Sequence, residues 1–443
     1  MHGPIHVIGG GLAGSECAWQ LAERGVEVVL HEMRPVKGTA AHKSGDLAEL
    51  VCSNSLRSDD PFHAAGLLKR EMEALGSLII GKAREAAVPA GSALALDRDR
   101  FGALVTSAIE NHPRIELRRE EVTEIPDGEV VIATGPLTSE AMSARLQELL
   151  GSEYLYFYDA IAPIVEAESL DVSKLFWQSR WGKGEGADYL NSPMSEAEYL
   201  AFHAALTGAE VVAPHDFEKA VFFEGCLPIE EIARRGVDTL RYGPMKPVGL
   251  TTPDGRRPWA VVQLRQENLA KSQFNLVGFQ SRMKWGEQQR VLTMIPGLEN
   301  ARFVRFGQIH RNTFVNAPTH LDKRYRLKSK PRIRLAGQIT GVEGYLESAA
   351  TGLAIGLYIS LEKEGHEPEP FPATTALGAL ARHLTESDPE HFQPANINYG
   401  LFEELTGRIR RKDKRPAFVE RAQGALAAWA ERNQVEVGAP CAV

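Results

Sequence analysis

Ile5-His-Val-Ile-Gly-Gly-Gly-Leu-Ala-Gly-Ser-Glu-Cys-Ala-Trp-Gln-Leu-Ala-Glu-Arg-Gly-Val-Glu-Val-Val-Leu-His-Glu32 is the stretch whose reading decides the fold. Ile5 to Ile8 is a short apolar run of the kind that forms a buried strand. Gly9, Gly11 and Gly14 follow at once in the spacing GxGxxG. Ser15 to Arg24 has helical spacing, with Cys17, Ala18, Leu21 and Ala22 on one side, and Gly25 ends the helix. Val26 to Leu30 predicts a second strand, with Glu32 at its far end. A strand, glycine turn, helix, strand and acidic residue in this order form the unit that binds a dinucleotide. Gly9 permits the tight turn, Gly11 leaves room for a pyrophosphate, and Gly14 lets helix and strand pack closely. The segment Gly9, Gly10, Gly11, Leu12, Ala13 and Gly14 therefore lies against the phosphates, where the helix N-terminus offers free N–H groups. Glu32 is placed to accept from a ribose hydroxyl.

Outward from this unit, a second stretch carries information. Val130 to Gly135, VVIATG, predicts a strand whose small residues Ala133, Thr134 and Gly135 let the backbone pass a cofactor closely. A third lies far downstream. Ile333 to Ala336 predicts a strand, Gly337 and Gln338 a glycine turn, and Ser348 to Ile359 a helix aimed at the same ligand. One GxGxxG unit with such a closing element suits FAD. A nicotinamide dehydrogenase lacks the closing element, and a flavin disulfide reductase carries a second GxGxxG and a paired cysteine motif. Neither is present, so NAD(P)H is expected as a visiting reductant without a Rossmann domain of its own.

The 443 residues allow two or three domains. The fold class expected is α/β: a Rossmann-type FAD-binding domain with an inserted mixed α/β domain and a helical C-terminal segment. The expected division is residues 1–165 (FAD-binding, first part), 166–300 (inserted substrate domain), 301–363 (FAD-binding, closing part) and 364–443 (mostly helical). Within these, 61–88 predicts one helix, 93–112 a helix capped near Asp97, and 121–125 a short strand. The net charge of −8 excludes a protein that grips nucleic acid by bulk charge alone. Two local basic runs, 322–334 and 408–415, leave a local phosphate contact open against the plainer reading of solvated faces.

The four cysteines, 17, 52, 226 and 441, have no zinc spacing and suit a reducing compartment. No metal is expected. No signal peptide or membrane span is visible, which makes a cytoplasmic enzyme the expected class.

Long phrases along nearly the whole chain carry a resemblance. They are VIGGGLAGSE at 7–16, HEMRP at 31–35, ELVCSNSLRSD at 49–59, LDR at 96–98, VIATGPLTS at 131–139, FEGCLPIEE at 223–231, RYGPMKPVGL at 241–250, QLRQEN at 263–268, GFQ at 278–280, IHRNTF at 309–314 and AGQITGVEGY at 336–345. In these the chain resembles the TrmFO family of folate- and FAD-dependent tRNA (uracil-5-)-methyltransferases, relatives of the GidA-type tRNA-modifying flavoproteins. The resemblance implies methylation of the T-loop uridine at position 54 of tRNA, with 5,10-methylenetetrahydrofolate as carbon donor and reduced FAD as hydride donor. The tRNA T-arm and the folate are the partners implied, and no obligate protein partner.

That chemistry needs a thiolate and a proton shuttle. Cys52 and Cys226 are the candidates, because both sit in polar phrases with charged neighbours; which one attacks is left open, and Glu224 and Lys246 are placed to tune the second. Cys17 reads as core. Tyr345, Trp285 and His310 are candidates to stack on the target base or the pterin. The competing readings are a GidA-like tRNA-modifying flavoprotein, a small-molecule FAD oxidoreductase, and an RNA-binding module that uses flavin only for stability.

Overall fold

The computed structural model describes residues 3–39, 41–151, 154–184, 186–212, 227–407 and 409–438, and the side chains of 154–160 and 309–313 are not among those described. Its first sheet is six-stranded. Ile5–Ile8 lies near the centre, flanked in parallel by Val28–Glu32 and Val130–Ile132. Ile115–Arg119 extends one side, and Lys330–Leu335 the other, again in parallel. The short strand Arg326–Leu327 closes that edge antiparallel. Parallel strands covered on both faces read as unbroken apolar runs, as IHVI and VVI do.

The helix Leu12–Glu23 follows the first strand, three residues earlier than the spacing suggests, because Leu12 to Gly14 already adopt helical geometry inside the glycine turn. The helix Tyr345–Lys363 lies directly against it. A Cβ on Gly352 would stand 2.1 Å from Ala13 O, and one on Gly14 1.8 Å from Gly9 O. Only hydrogen fits at either place.

The stretch 61–88 forms two helices, Ala64–Ala74 and Leu78–Glu85, rather than one. Gly76 takes φ +75°, and Ser77 Oγ accepts from Ile80 N to start the second. These are local stop and start signals. Asp97 caps Arg98–Glu110 as expected, accepting from Arg100 N at 3.1 Å. The strand expected at 121–125 does not form; Val122 and Ile125 pack against the core without a ladder partner.

A second six-stranded sheet spans residues 164–305. Its order is Phe176–Trp177, Tyr189–Met194, Ala260–Gln266, Gln273–Leu276, Ile164–Glu166, Phe303–Arg305. It has its own core, with Val165, Leu190, Phe202, Val262, Phe279 and Leu292 buried together. Tyr154–Ala160 and Ile309–Val315 pair antiparallel where the chain leaves and re-enters the first unit. The C-terminal part is helical at Ala376–Glu386 and Lys414–Arg432, but 387–413 contains no helix among its described residues. Both helices bury their apolar sides in the first core. Trp429 stacks within 4.0 Å of Phe371 and donates Nε1–H to Glu369 O.

Two added methyl groups are expected to act in opposite directions. Gly352→Ala must push the two helices apart and should destabilise by about 1–3 kcal/mol. Gly424→Ala, on an exposed turn of Lys414–Arg432 with nothing within 4 Å of the new Cβ, should stabilise by roughly 0.5–1 kcal/mol. Thermal unfolding of the two variants checks both signs.

Candidate functional site

Three separated stretches converge on one cavity. It is lined by Gly9, Gly11, Leu12 and Ala13, by His31 to Arg34, by Ala133 to Ser139, and by Gly337, Gln338, Tyr345 and Ser348. The glycine turn, the end of the second strand, the Ala-Thr-Gly strand end and the closing element thus meet as the sequence predicts. Two helix N-termini, at Gly11 and Gly344, deliver residues to it. Their positive dipole ends suit an anionic ligand.

The cradle fits a dinucleotide. A Cβ at Gly11 would meet nothing within 4 Å, so the cavity wall is left open where a pyrophosphate approaches. Gly10 lines no part of the cavity; its N–H donates to Glu32 Oε2 at 2.9 Å, and so it positions the carboxylate. Glu32 Oε1 accepts from Arg34 N and Nε, both at 2.9 Å. Burial works to raise the pKa of Glu32, but the hydrogen bonds and charge of Arg34, with the Gly10 amide, outweigh it and hold the carboxylate ionised. Oε2 keeps a lone pair free for a ribose hydroxyl. Gly14 acts through packing and does not touch the cavity.

At the far end of the cavity stands Tyr345. Its hydroxyl accepts from the backbone N–H of Cys52 at 2.7 Å and of Ser53 at 3.2 Å. The same oxygen lies 2.9 Å from Cys52 Sγ. Two amides occupy the phenol's lone pairs, so its proton is directed at the sulfur. Burial, and then the adjacent Cys52, raise the tyrosine pKa well above its ordinary value, so the phenol stays neutral and donates.

The Cys52 loop has no ladder of its own, and side chains from elsewhere satisfy it. Arg98 Nη1 donates to Leu50 O and pairs through Nε with Glu267. Arg305 Nη1 donates to Val51 O at 2.6 Å. Arg265 donates to Ser53 Oγ and Asn54 Oδ1 at 3.0 and 2.8 Å. Arg265, Glu267 and Arg305 come from the second sheet and its margins. Sequence reading missed all three arginines; the phrases LDR and QLRQEN hold two of them, but nothing local links either to Cys52.

Other candidates lie apart. Cys17 is fully buried and its thiol is pushed up to about 12 by that burial, as a core residue. Trp285 is not at the cavity. It sits 60% exposed on the second unit, stacked on Phe306, which stacks in turn on Phe303. Its helix Trp285–Leu292 lines no part of the dinucleotide cavity. Lys246 lines an outer groove with Arg241 and Trp259. His310 lies in a described strand, paired with Asp159, but its side chain is outside the described residues. Cys226, with Glu224, falls in 213–226, outside the described residues, as do Cys441 and Arg408.

The basic run 322–334 is engaged internally. Lys323 pairs with Glu386, Arg324 with Glu367, Arg326 with Asp322, and Arg334 with Glu362. Arg332 and Lys328 donate to backbone carbonyls. Arg410, Arg411, Lys412, Lys414 and Arg415 are exposed and form no ion pair among the described residues.

Gly11→Val should yield folded protein without bound dinucleotide, because its side chain takes the open space at the turn. Glu32→Gln, which keeps the shape but loses the carboxylate acceptor, should weaken the dinucleotide by about 1–2 kcal/mol. Absorbance of the purified variants reads both; full flavin content in Gly11→Val would refute the cradle.

Comparisons with known proteins agree with this geometry. The family model of glucose inhibited division protein A (GIDA) matches residues 4–367. The methylenetetrahydrofolate–tRNA-(uracil-5-)-methyltransferase TrmFO of Geobacter sulfurreducens is 57% identical over 431 residues, covering 97% of this chain and 99% of that protein. The TrmFO of Bacillus subtilis is 56% identical over 412 residues, covering 93% and 94%. Among solved structures, Aquifex aeolicus GidA superposes with a TM-score of 0.68 at 16% identity, covering 98% of this chain and 75% of that one, a likeness of fold. The chain belongs to the TrmFO family, within the wider GidA group of flavoproteins.

Proposed function

We propose that the protein methylates C5 of a uracil in tRNA, the T-loop uridine at position 54, with 5,10-methylenetetrahydrofolate as carbon donor and NAD(P)H as the source of reducing power for bound FAD. The observation that carries this reading is the thiol of Cys52 at the end of a dinucleotide cradle, held by a neutral phenol. Gly9, Gly11, Leu12, Ala13, Glu32, Ala133 to Gly135, Gly337 and Gln338 line the cradle and would hold FAD, with Gly10 positioning Glu32. The same reading places the protein in the cytoplasm, working on the T-arm without an obligate protein partner; among the described residues no helix is long and apolar enough to cross a membrane.

Uracil C5 is a poor nucleophile. A thiolate that adds to C6 pushes electrons through the ring and makes C5 an enolate carbon, which attacks the activated methylene. A base then takes the C5 proton, the bond from the methylene carbon to the tetrahydrofolate nitrogen breaks, and an exocyclic methylene forms with sulfur still on C6; a hydride added to that methylene expels the thiolate as the C5=C6 bond re-forms. Reduced FAD held in the cradle would supply that hydride and leave a methyl group on C5. Cys52 and Cys226 share the roles of nucleophile and proton shuttle. For Cys52, the O–H of Tyr345 stabilises negative charge on sulfur without surrendering its proton. The target base must leave its stack to reach the site.

FAD-loaded protein should convert T-loop uridine to 5-methyluridine with methylenetetrahydrofolate and not with S-adenosylmethionine. An RNA carrying 5-fluorouridine should trap a covalent adduct, since fluorine does not leave as a proton does. Cys52→Ala with Cys226→Ala should abolish adduct and methylation while keeping FAD; survival of both products would sink the thiol mechanism.

The free cations at 410–415 make this run, rather than 322–334, the candidate tRNA contact. Reversing three of its charges should weaken tRNA binding and flatten its salt dependence, by roughly one unit of slope for each phosphate no longer neutralised. The same reversals at 324, 326 and 334 break internal pairs and should instead lower thermal stability.

A further inference from the structure

The Cys52 loop has a second face. Glu49 and Val51 line the dinucleotide cavity and also a neighbouring pocket, whose walls set Lys43, Arg98 and Arg305 beside the carboxylates Asp46, Asp97, Asp99 and Glu267. Arg305 is the odd member of this group. Its Nη1 is spent on Val51 O, but Nε and Nη2 are buried and have no hydrogen-bond partner. A buried donor without an acceptor is costly, and a buried guanidinium more so. The nearby carboxylates do not relieve it. Glu267 is taken by Arg98, and Glu49 by Arg34 and the N–H groups of Lys43 and Ser44. Burial, then the like charge of Arg98, lower the pKa of Arg305 to about 10, which still leaves it charged at neutral pH. Lys43 adds a further positive group at the pocket's rim.

Nε and Nη2 form one edge of the guanidinium, the edge that takes a carboxylate with two parallel hydrogen bonds. The position of that edge is set by a single peptide. Val51 O accepts from Arg305, and the N–H of the same peptide, on Cys52, donates to Tyr345 Oη at 2.7 Å. The guanidinium and the phenol are therefore no more than about 8 Å apart across one peptide plane. A ligand whose ring rests by Tyr345 has its anionic end within reach of Arg305.

We propose that Arg305 binds a carboxylate of the glutamate tail of the folate donor through its Nε and Nη2 edge. This rests on the folate-dependent reading above and assigns the tail a residue and a pocket. A phosphate of tRNA, or the 2′-phosphate of NADPH, carries similar charge, and the test separates them.

The experiment compares tetrahydrofolate with its diamide, in which both glutamate carboxylates are amides, as ligands of the FAD-loaded protein. Binding is read from the change in flavin absorbance. The unaltered protein should bind tetrahydrofolate at least tenfold more tightly than the diamide. Arg305→Gln should lose that preference, binding tetrahydrofolate about as weakly as the diamide and keeping its flavin. Arg305→Lys, which retains charge without the fork, should recover part of it. Equal binding of the two ligands by the unaltered protein would overturn the assignment without any variant. So would an undiminished preference in Arg305→Gln, or a loss equal for both ligands, which would mark a purely structural role in the Cys52 loop. A preference kept while Arg305→Gln loses affinity for tRNA, or loses discrimination of NADPH from NADH, would move the anion to those partners. No tetrahydrofolate binding by the unaltered protein would overturn the donor reading itself, and the assignment with it.

Discussion

The close approach of two helices far apart in sequence is the constraint on which the rest of the structure depends. Leu12–Glu23 and Tyr345–Lys363 touch through Gly352 on Ala13 and Gly356 on Gln20 and Cys17. Gly14, on the other side of the first helix, meets the carbonyl of Gly9. Backbones approach this closely only where side chains are absent, and the interior is packed too densely to open around an added methyl. The packing brings both helix N-termini to one cavity. Leu12 and Ala13 arrive from one, and Tyr345 and Ser348 from the other. The cradle for the phosphates and the phenol beside Cys52 are placed together in this way.

The second unit contributes in a different way. It holds the loop that carries the thiol, through charged side chains rather than through packing. Arg265 in a strand and Arg305 at a strand end, joined by Arg98 from the first unit, each take a different acceptor between Leu50 and Asn54. A loop with no ladder needs such partners, because unpaired buried carbonyls cost as much as absent hydrogen bonds. Arg98 is balanced by Glu267, and Arg265 gives its Nε and Nη2 to oxygens of the loop. Arg305 alone keeps two buried donors in reserve. Holding the thiol loop and offering a charge to a ligand are thus two edges of the same guanidinium.

Charge on the chain did not by itself mark a nucleic-acid surface. The run at 322–334 is the longer of the two basic stretches, yet it sits on and beside an edge strand where Asp322, Glu362, Glu367 and Glu386 neutralise it. Apart from Asp322, those acids lie 28 to 63 residues downstream of their partners. The run at 410–415 begins a helix whose apolar side is turned into the core, which leaves its cations to solvent. Partnering separates the two.

The sequence by itself determined what local physics controls. Ile5–Ile8, the glycine turn, Glu32, the strand at Val130–Ile132, the Asp97 cap and the closing glycine at 337 are all legible, because each is specified by residues within a few positions of it. The break at Gly76-Ser77 was legible too, as a helix stop followed by a cap, although helical periodicity on both sides conceals it. Val122 and Ile125 show the limit of pattern, since alternation buries them without pairing them. Only the tertiary structure decided that Tyr345 reaches Cys52 across 293 positions, that Arg305 grips Val51 across 254, and that Trp285 stands on an outer face. These meetings depend on where two sheets and two helices come to rest, and no residue near Cys52 encodes the arginines that hold it.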